Sequence, residues 1–338
     1  DDTLFFPAAD GTNGIEPWKS DGTAAGTELI KDINESGDSF RDYPITVFDG
    51  KIYFEANDGT NGRELWKSDG TSGGTKRVTN MNDPGGSLPS IWSGLTVFDG
   101  ALYFSATDGK NGVELWKSDG TADGTEMVKD INDSGDSFPN RLTAAEDTLY
   151  FTADNGTKGT ELWKSNGTTD GTSMVKDIND SISSSTPEDL TVLNNTLYFA
   201  ADDGDSRELW KSDGTDKNTS MVKEINSSGD SIPLLADSNF TVFNGALYFN
   251  ATDGNSGLEL WKSNGSTAGT NLVKDINPSG DSSLRELTVF DGALYFAAND
   301  GSSGSELWKS DGTTAGTERV KDINPSGDSN PDELAAFE

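Results

Sequence analysis

The sequence predicts an all-β fold, a seven-bladed β-propeller with four antiparallel strands per blade, and three observations predict it. First, the octapeptide Glu-Leu-Trp-Lys-Ser-Asp-Gly-Thr stands whole at Glu64–Thr71, Glu114–Thr121, Glu208–Thr215 and Glu306–Thr313. Variants at Glu16–Thr23, Glu161–Thr168 and Glu259–Ser266 bring the copies to seven, with their tryptophans 47 to 51 residues apart. A period of that length marks a propeller or an array of stacked units. Second, each period holds four short apolar or alternating runs joined by turn residues, which is the pattern of one antiparallel blade. Third, the two ends are complementary. The chain opens on Thr3-Leu4-Phe5-Phe6, which reads as a second strand, and closes on Leu334-Ala335-Ala336-Phe337, which reads as a first strand. Joined, they match the internal run Leu142–Phe151. The C-terminal strand is therefore expected to join the N-terminal blade and close the ring, which removes exposed sheet edges. Residues 1–338 are expected to form one domain, because repeat folds grow by adding units to a single body.

The best-preserved unit shows why each element forms. Leu287–Phe290 is the first strand, and Asp291-Gly292 is a hairpin turn that needs positive φ. Ala293–Ala298 is the second strand, Asn299–Ser305 a Gly-rich loop and Glu306–Ser310 the third strand. Asp311–Gly316 turns the chain into the fourth strand, Thr317–Ile323, with Glu318, Val320 and Asp322 on one face and Arg319, Lys321 and Ile323 on the other. Recurrence in all seven units assigns the tryptophan to packing between blades, since aromatics dominate buried area. Ser-Asp-Gly-Thr-x-x-Gly-Thr resembles the Asp-box hairpin of sialidases in its logic: Asp accepts backbone N–H bonds, Gly takes positive φ and Thr closes the turn.

The seven copies resemble the bacterial ELWxxDGT repeat family over essentially the whole chain, with Pro17 in place of Leu in the first copy. The resemblance implies a module of a large bacterial surface or secreted protein, extracellular or at the cell surface, in a family often without an assigned activity.

Composition narrows the function classes. Asp plus Glu number 58 against 25 Lys plus Arg, a formal charge of −33. Such a surface repels nucleic acid, which calls for a basic footprint, and anionic membranes. It suits divalent cations and high salt. There is no cysteine and no histidine, so the usual zinc ligand and general base are missing. No apolar run is long enough to span a membrane. The chain starts at Asp1 and reads as a mature or excised piece of a larger chain or assembly.

Two sets of residues are candidates for function. The segment after the fourth strand reads Asp32-x-Asn34-x-Ser36-Gly37-Asp38, and again Asp130, Asn132, Ser134 and Asp136; Asp275, Asn277 and Asp281; and Asp322, Asn324 and Asp328. Oxygen ligands at positions 1, 3 and 5 with Gly at 6 match the start of a calcium loop, although the acid at position 12 is missing. The plainer reading is an Asx turn in a polar loop. Asp-Gly-x-x-Gly-x-Glu, as at Asp58–Glu64, is a second acidic loop expected on the same face. The other set is the non-repeated residues before each first strand: Phe40, Arg41, Tyr43, Trp92, Phe138, Arg141 and Arg285. If the first strand is innermost, these ring the channel mouth and suit a glycan or protein ligand; otherwise they plug it as core. The expected function is non-enzymatic binding or adhesion. The alternative is a purely architectural repeat, and a carboxylate-based glycosidase or lyase ranks below both.

Overall fold

The computed structural model describes residues 3–40, 44–83, 85–89, 94–180, 182–234 and 240–336. Its strands form seven antiparallel sheets in chain order, six of four strands and the first of three. Among the described residues there is no α-helix, only one 3₁₀ turn at Asp216–Asn218. Contacts divide the chain into two compact units, residues 1–159 with 163–174 and residues 160–162 with 175–338.

The seventh sheet consists of Arg285–Phe290, Ala293–Asn299, Ser305–Ser310 and Glu318–Lys321. Its fourth strand is shorter than alternation predicts. The ladder shifts register at Leu307/Trp308, and Ile323 N–H leaves it to donate to Glu306 Oε2 at 2.8 Å. In the first sheet, Leu4–Ala9, Ile15–Ser20 and Glu28–Leu29 pair in that order. The expected fourth member, residues 334–336, lies in no strand.

The octapeptide is scaffold throughout. Its Glu is fully buried in all seven copies. Glu161 shows its role: one carboxylate oxygen takes Ile178 N–H at 3.0 Å and Ser185 Oγ–H at 2.6 Å, and the other takes Ser185 N–H at 2.9 Å. These backbone donors follow the fourth strand and would otherwise be buried without a partner. Trp66 packs with Ile33, Phe40, Ile52 and Phe54 between the first two sheets. Lys67 Nζ donates to Gly120 O on the next sheet at 2.7 Å, and Ser68 and Thr75 exchange a hydroxyl bond at 2.7 Å. Asp69 Oδ1 caps Thr71 through N–H at 3.0 Å and Oγ–H at 2.7 Å. Gly120 is required for two reasons. Its φ is +86°, and a Cβ there would lie 2.1 Å from the Tyr53 hydroxyl.

Connections into the first strands are of two kinds. From Ser137 to Thr143, Ser185 to Thr191 and Ser282 to Thr288 the spacing is six residues. Each of these carries two left-handed residues three apart: Phe138 and Arg141, Thr186 and Asp189, Ser283 and Glu286. From Ser39 to Thr46, Ser87 to Thr96 and Ser231 to Thr241 the spacings are seven, nine and ten, and the first strands shrink to Thr46–Phe48, Thr96–Phe98 and Thr241–Phe243.

Candidate functional site

The residues expected to bind do not form one group. Phe40 is 2% exposed and stacks on Phe54 with centroids 4.9 Å apart. It is core rather than a ligand contact, because the serine before it folds back onto strand Ile15–Ser20 of the first sheet and tucks the ring under the second sheet. Arg41, Tyr43 and Trp92 lie outside the described residues. Phe138 is 43% exposed, and Arg141 is exposed three residues on. Arg285 is half-buried and donates to Asn330 Oδ1 at 3.3 Å.

The proposed calcium segments turn most of their oxygens inward. Asn34 Oδ1 takes Ser36 N–H and Oγ–H at 3.2 and 2.9 Å, and Asn34 Nδ2 donates to Asp38 O at 3.1 Å. Asp38 Oδ1 takes Ile15 N–H at 2.8 Å. Asp136, Asp281 and Asp328 cap Val113, Leu258 and Ser305 in the same way, at 2.7 to 2.8 Å. Asn132, Asn277 and Asn324 hold the backbone of the same turn through Nδ2, and Ser134 donates to Asn132 Oδ1. Asp32, Asp130, Asp275 and Asp322 each keep one buried oxygen without a hydrogen-bond partner. Among the described residues, no three carboxylates are grouped so as to hold a metal ion. The second acidic loop is also turn chemistry: Asp58 Oδ1 takes Thr60 and Asn61 N–H at 3.0 and 2.8 Å, and these bonds hold its pKa down against burial.

The site that does emerge lies on the second sheet, beside Phe40. A cavity of about 160 Å³ is lined by Asp38, Ser39, Phe40, Glu55, Asn57 and Arg63. Glu55 and Asn57 are in strand Lys51–Asn57, and Arg63 opens strand Arg63–Ser68. The register pairs Asn57 with Arg63 and Glu55 with Leu65, which puts all four side chains on one face. Arg63 Nη1 meets Glu55 Oε1 at 3.1 Å, with Glu55 only 4% exposed. Asn57 N–H donates to Ser39 O at 3.0 Å and ties the cavity wall to the incoming chain. The scaffold does not require this pair. At the Glu55 position the other sheets carry Pro7, Ser105, Thr152, Ala200, Asn250 and Ala297. Sequence reasoning passed over both residues because each sits inside a strand, where only comparison across the seven copies singles it out.

The comparisons bear on the fold alone. No family model and no curated protein matches the chain. Among solved structures, a prolyl endopeptidase is similar at 12% identity and TM-score 0.54, over 94% of this chain and 48% of that one. Oligopeptidase B from Leishmania major (11%, TM-score 0.49) and puromycin hydrolase (12%, TM-score 0.48) are also similar, over 94% and 96% of this chain. The chain spans about half the length of each of these structures, 48%, 47% and 53% in turn. The prolyl endopeptidase likeness agrees with a propeller-like arrangement of antiparallel sheets.

Proposed function

We propose that the protein is a non-enzymatic binding module whose cavity on the second sheet takes a hydroxylated group, such as a sugar residue of a glycan. The observation that supports this reading is the Glu55–Arg63 pair beside Asn57 in a cavity of about 160 Å³. A carboxylate accepts and a guanidinium donates, so neighbouring hydroxyls of one ring find both kinds of partner. The volume is below the roughly 300 Å³ of a drug-sized site, and it suits one terminal group rather than a whole ligand. The architecture proposed with it is a seven-bladed propeller whose first blade is completed by residues 334–336. The resemblance to surface and secreted repeat proteins supports a place outside the cell, as part of a larger chain or assembly. Neither nucleic acid nor membrane insertion belongs to this reading, given the charge of −33.

The test is a glycan and peptide array run with and without calcium, on the protein and on the double variant Glu55→Gln/Arg63→Met. Glycan binding that the double variant loses, at an unchanged melting temperature, supports the proposal. Binding that survives in the variant, or hydrolysis of the bound glycan, overturns it. An architectural role is the second reading, favoured by the complete use of the octapeptide in scaffold contacts; an array with no binder would leave that reading standing. Calcium is proposed only as a stabiliser of the turn at Asp32–Asp38 and its repeats. At about 100 times its dissociation constant it would add about 2.7 kcal/mol, and a melting temperature unchanged by chelator removes it.

A further inference from the structure

Neighbouring sheets within each compact unit are locked together by a repeated pair of polar contacts. The lysine that ends the fourth strand of one sheet reaches a threonine carbonyl of the next. Lys129 Nζ donates to Thr172 O, Lys223 Nζ to Thr270 O and Lys274 Nζ to Thr317 O, each at 2.8 Å. A threonine hydroxyl comes back the other way: Thr169, Thr267 and Thr314 donate to Val128, Val222 and Val273 O at 2.7 to 2.8 Å. Between the first two sheets Lys31 Nζ makes the lysine contact, to Thr75 O at 2.9 Å. The ammonium also stands over the tryptophan of the next sheet. Lys31, Lys223 and Lys274 lie 5.6, 5.7 and 6.0 Å from the ring centroids of Trp66, Trp261 and Trp308.

The seam between the second and third sheets lacks both donors. Thr79 stands at the position of Lys129, Lys223 and Lys274, and Ala122 at that of Thr169, Thr267 and Thr314. Thr79 does not take over the lysine's contact. Its side chain is buried and turned back into its own sheet, where the hydroxyl donates to Glu64 Oε2 at 2.5 Å and takes Leu65 N–H at 2.9 Å. Ala122 has no hydroxyl to give. The two carbonyls that the missing donors would reach are Val78 O and Thr125 O. Among the described residues, no side chain donates to either.

The place of the missing side chains is a cavity of about 380 Å³, lined by Val78, Thr79, Met81, Ala122 and Thr125 among others. The two sheets have not drawn apart to make it. Lys67 Nζ still donates to Gly120 O at 2.7 Å, and Val78 still packs with Leu102, Phe104 and Trp116 of the third sheet. Arg77 also lines the cavity, and its guanidinium is held by Asp58 at 3.3 Å. No lining residue is shared with the cavity at Glu55.

We propose that this cavity is a second binding site, and that its ligand is a primary alkylammonium group. The other seams identify the ligand, because each fills the equivalent place with the butylammonium arm of its own lysine. An ammonium carries three donors and no acceptor, so one such group satisfies Val78 O and Thr125 O together and replaces both missing side chains. Trp116, the counterpart of Trp66, Trp261 and Trp308, supplies the ring. A chain of charge −33 also raises the local concentration of cations at its surface. The group can arrive on a free polyamine or on a lysine side chain of a partner protein. The chemistry at the cavity is the same for both.

The test is an NMR titration with n-butylammonium at constant ionic strength, followed at the backbone amides of Met81 and Thr125. Tetramethylammonium, which has the charge and no N–H, is the control. The parent should show saturable shifts with butylammonium and none with tetramethylammonium. Ala122→Thr restores the hydroxyl for Val78 O and should weaken binding about tenfold, the loss of one charge-assisted hydrogen bond. Thr79→Lys returns the chain's own ammonium and should abolish binding; if that variant melts below the parent, Ala122→Thr decides. No saturable shift in the parent, equal shifts with tetramethylammonium, or unchanged affinity in Ala122→Thr each overturns the proposal. Competition then separates the sources. Displacement of butylammonium by spermidine assigns a free polyamine, and displacement by a lysine peptide but not by its Nε-acetylated form assigns a partner's lysine. Failure of both competitors overturns the site as a receptor for either.

Discussion

The same position in two sheets carries an arginine, and its surroundings put it to opposite uses. In the fifth sheet Arg207 is 3% exposed. Its guanidinium donates to Thr186 O at 2.8 Å and Thr186 Oγ at 3.1 Å, and pairs with Glu188 at 3.0 Å. It thereby holds Thr186, a β-branched residue at φ +42°, in a conformation such residues avoid. In the second sheet Arg63 turns to Glu55, and a cavity is left beside it. The difference follows from the connection ahead of the first strand. Six residues from Ser185 to Thr191 bring Thr186 and Glu188 over the arginine; the seven from Ser39 to Thr46 send Phe40 into the core instead. A one-residue change in spacing separates an arginine used by the scaffold from one that faces a cavity.

The largest effects should come from the residues that each kind of connection commits to the core. Phe40→Ala empties a site that is 2% exposed and should cost about 3–5 kcal/mol. Phe138→Ala at the equivalent, 43% exposed position should fall within about 0.5 kcal/mol. Urea unfolding of the two variants measures both, and equal losses would mean that the two connections do not differ in packing. Arg207→Ala leaves Glu188 without its ion-pair partner and should cost about 3 kcal/mol. Arg63→Met keeps the volume of the stem; its main effect should appear in ligand affinity and only a smaller one in stability.

The difference between the connections also shows which parts of the fold were legible in the sequence. The seven periods, the strand order and the turn chemistry could be read because each is stated seven times. The role of the octapeptide Glu was not read, since a carboxylate holding a backbone N–H 17 residues away and a serine hydroxyl 23 residues away leaves no local pattern. Phe40 and Phe138 look alike in sequence, each following a Ser, yet one is buried and the other exposed. Backbone sign decides between them, and sequence does not print it. The Glu55–Arg63 pair was hidden by strand alternation, which assigns faces without saying which face has room.

The buried glutamates are common to both kinds of connection, so pH should not distinguish them. Burial outweighs the donated hydrogen bonds and pushes Glu114, Glu161, Glu208 and Glu259 up to about 7. A carboxyl whose folded pKa is raised stabilises the fold below its unfolded value and loses that contribution as pH rises through the folded one. Stability should therefore fall between about pH 4.5 and pH 7. Replacing Glu114 and Glu161 by Gln should flatten that slope in urea titrations. An unchanged slope would mean that the hydrogen bonds, not burial, set their ionisation.

The smallest effect is the most selective. Phe138 sits at φ +46°, where Asn is far better tolerated than an aromatic, and the matching residue in the C-terminal segment is already an asparagine, Asn330 at φ +44°. Phe138→Asn should relieve part of the roughly 1–2 kcal/mol that a left-handed residue costs and so raise stability slightly. The same variant asks whether the compact connections share in binding. If array binding persists in Phe138→Asn and disappears in Glu55→Gln/Arg63→Met, the ligand belongs to the longer connection. The exposed phenyl ring would then be a strained residue on the surface and no part of the site. If binding is lost in Phe138→Asn alone, the comparison is reversed, and the compact connection, with Arg141 three residues on, carries the function.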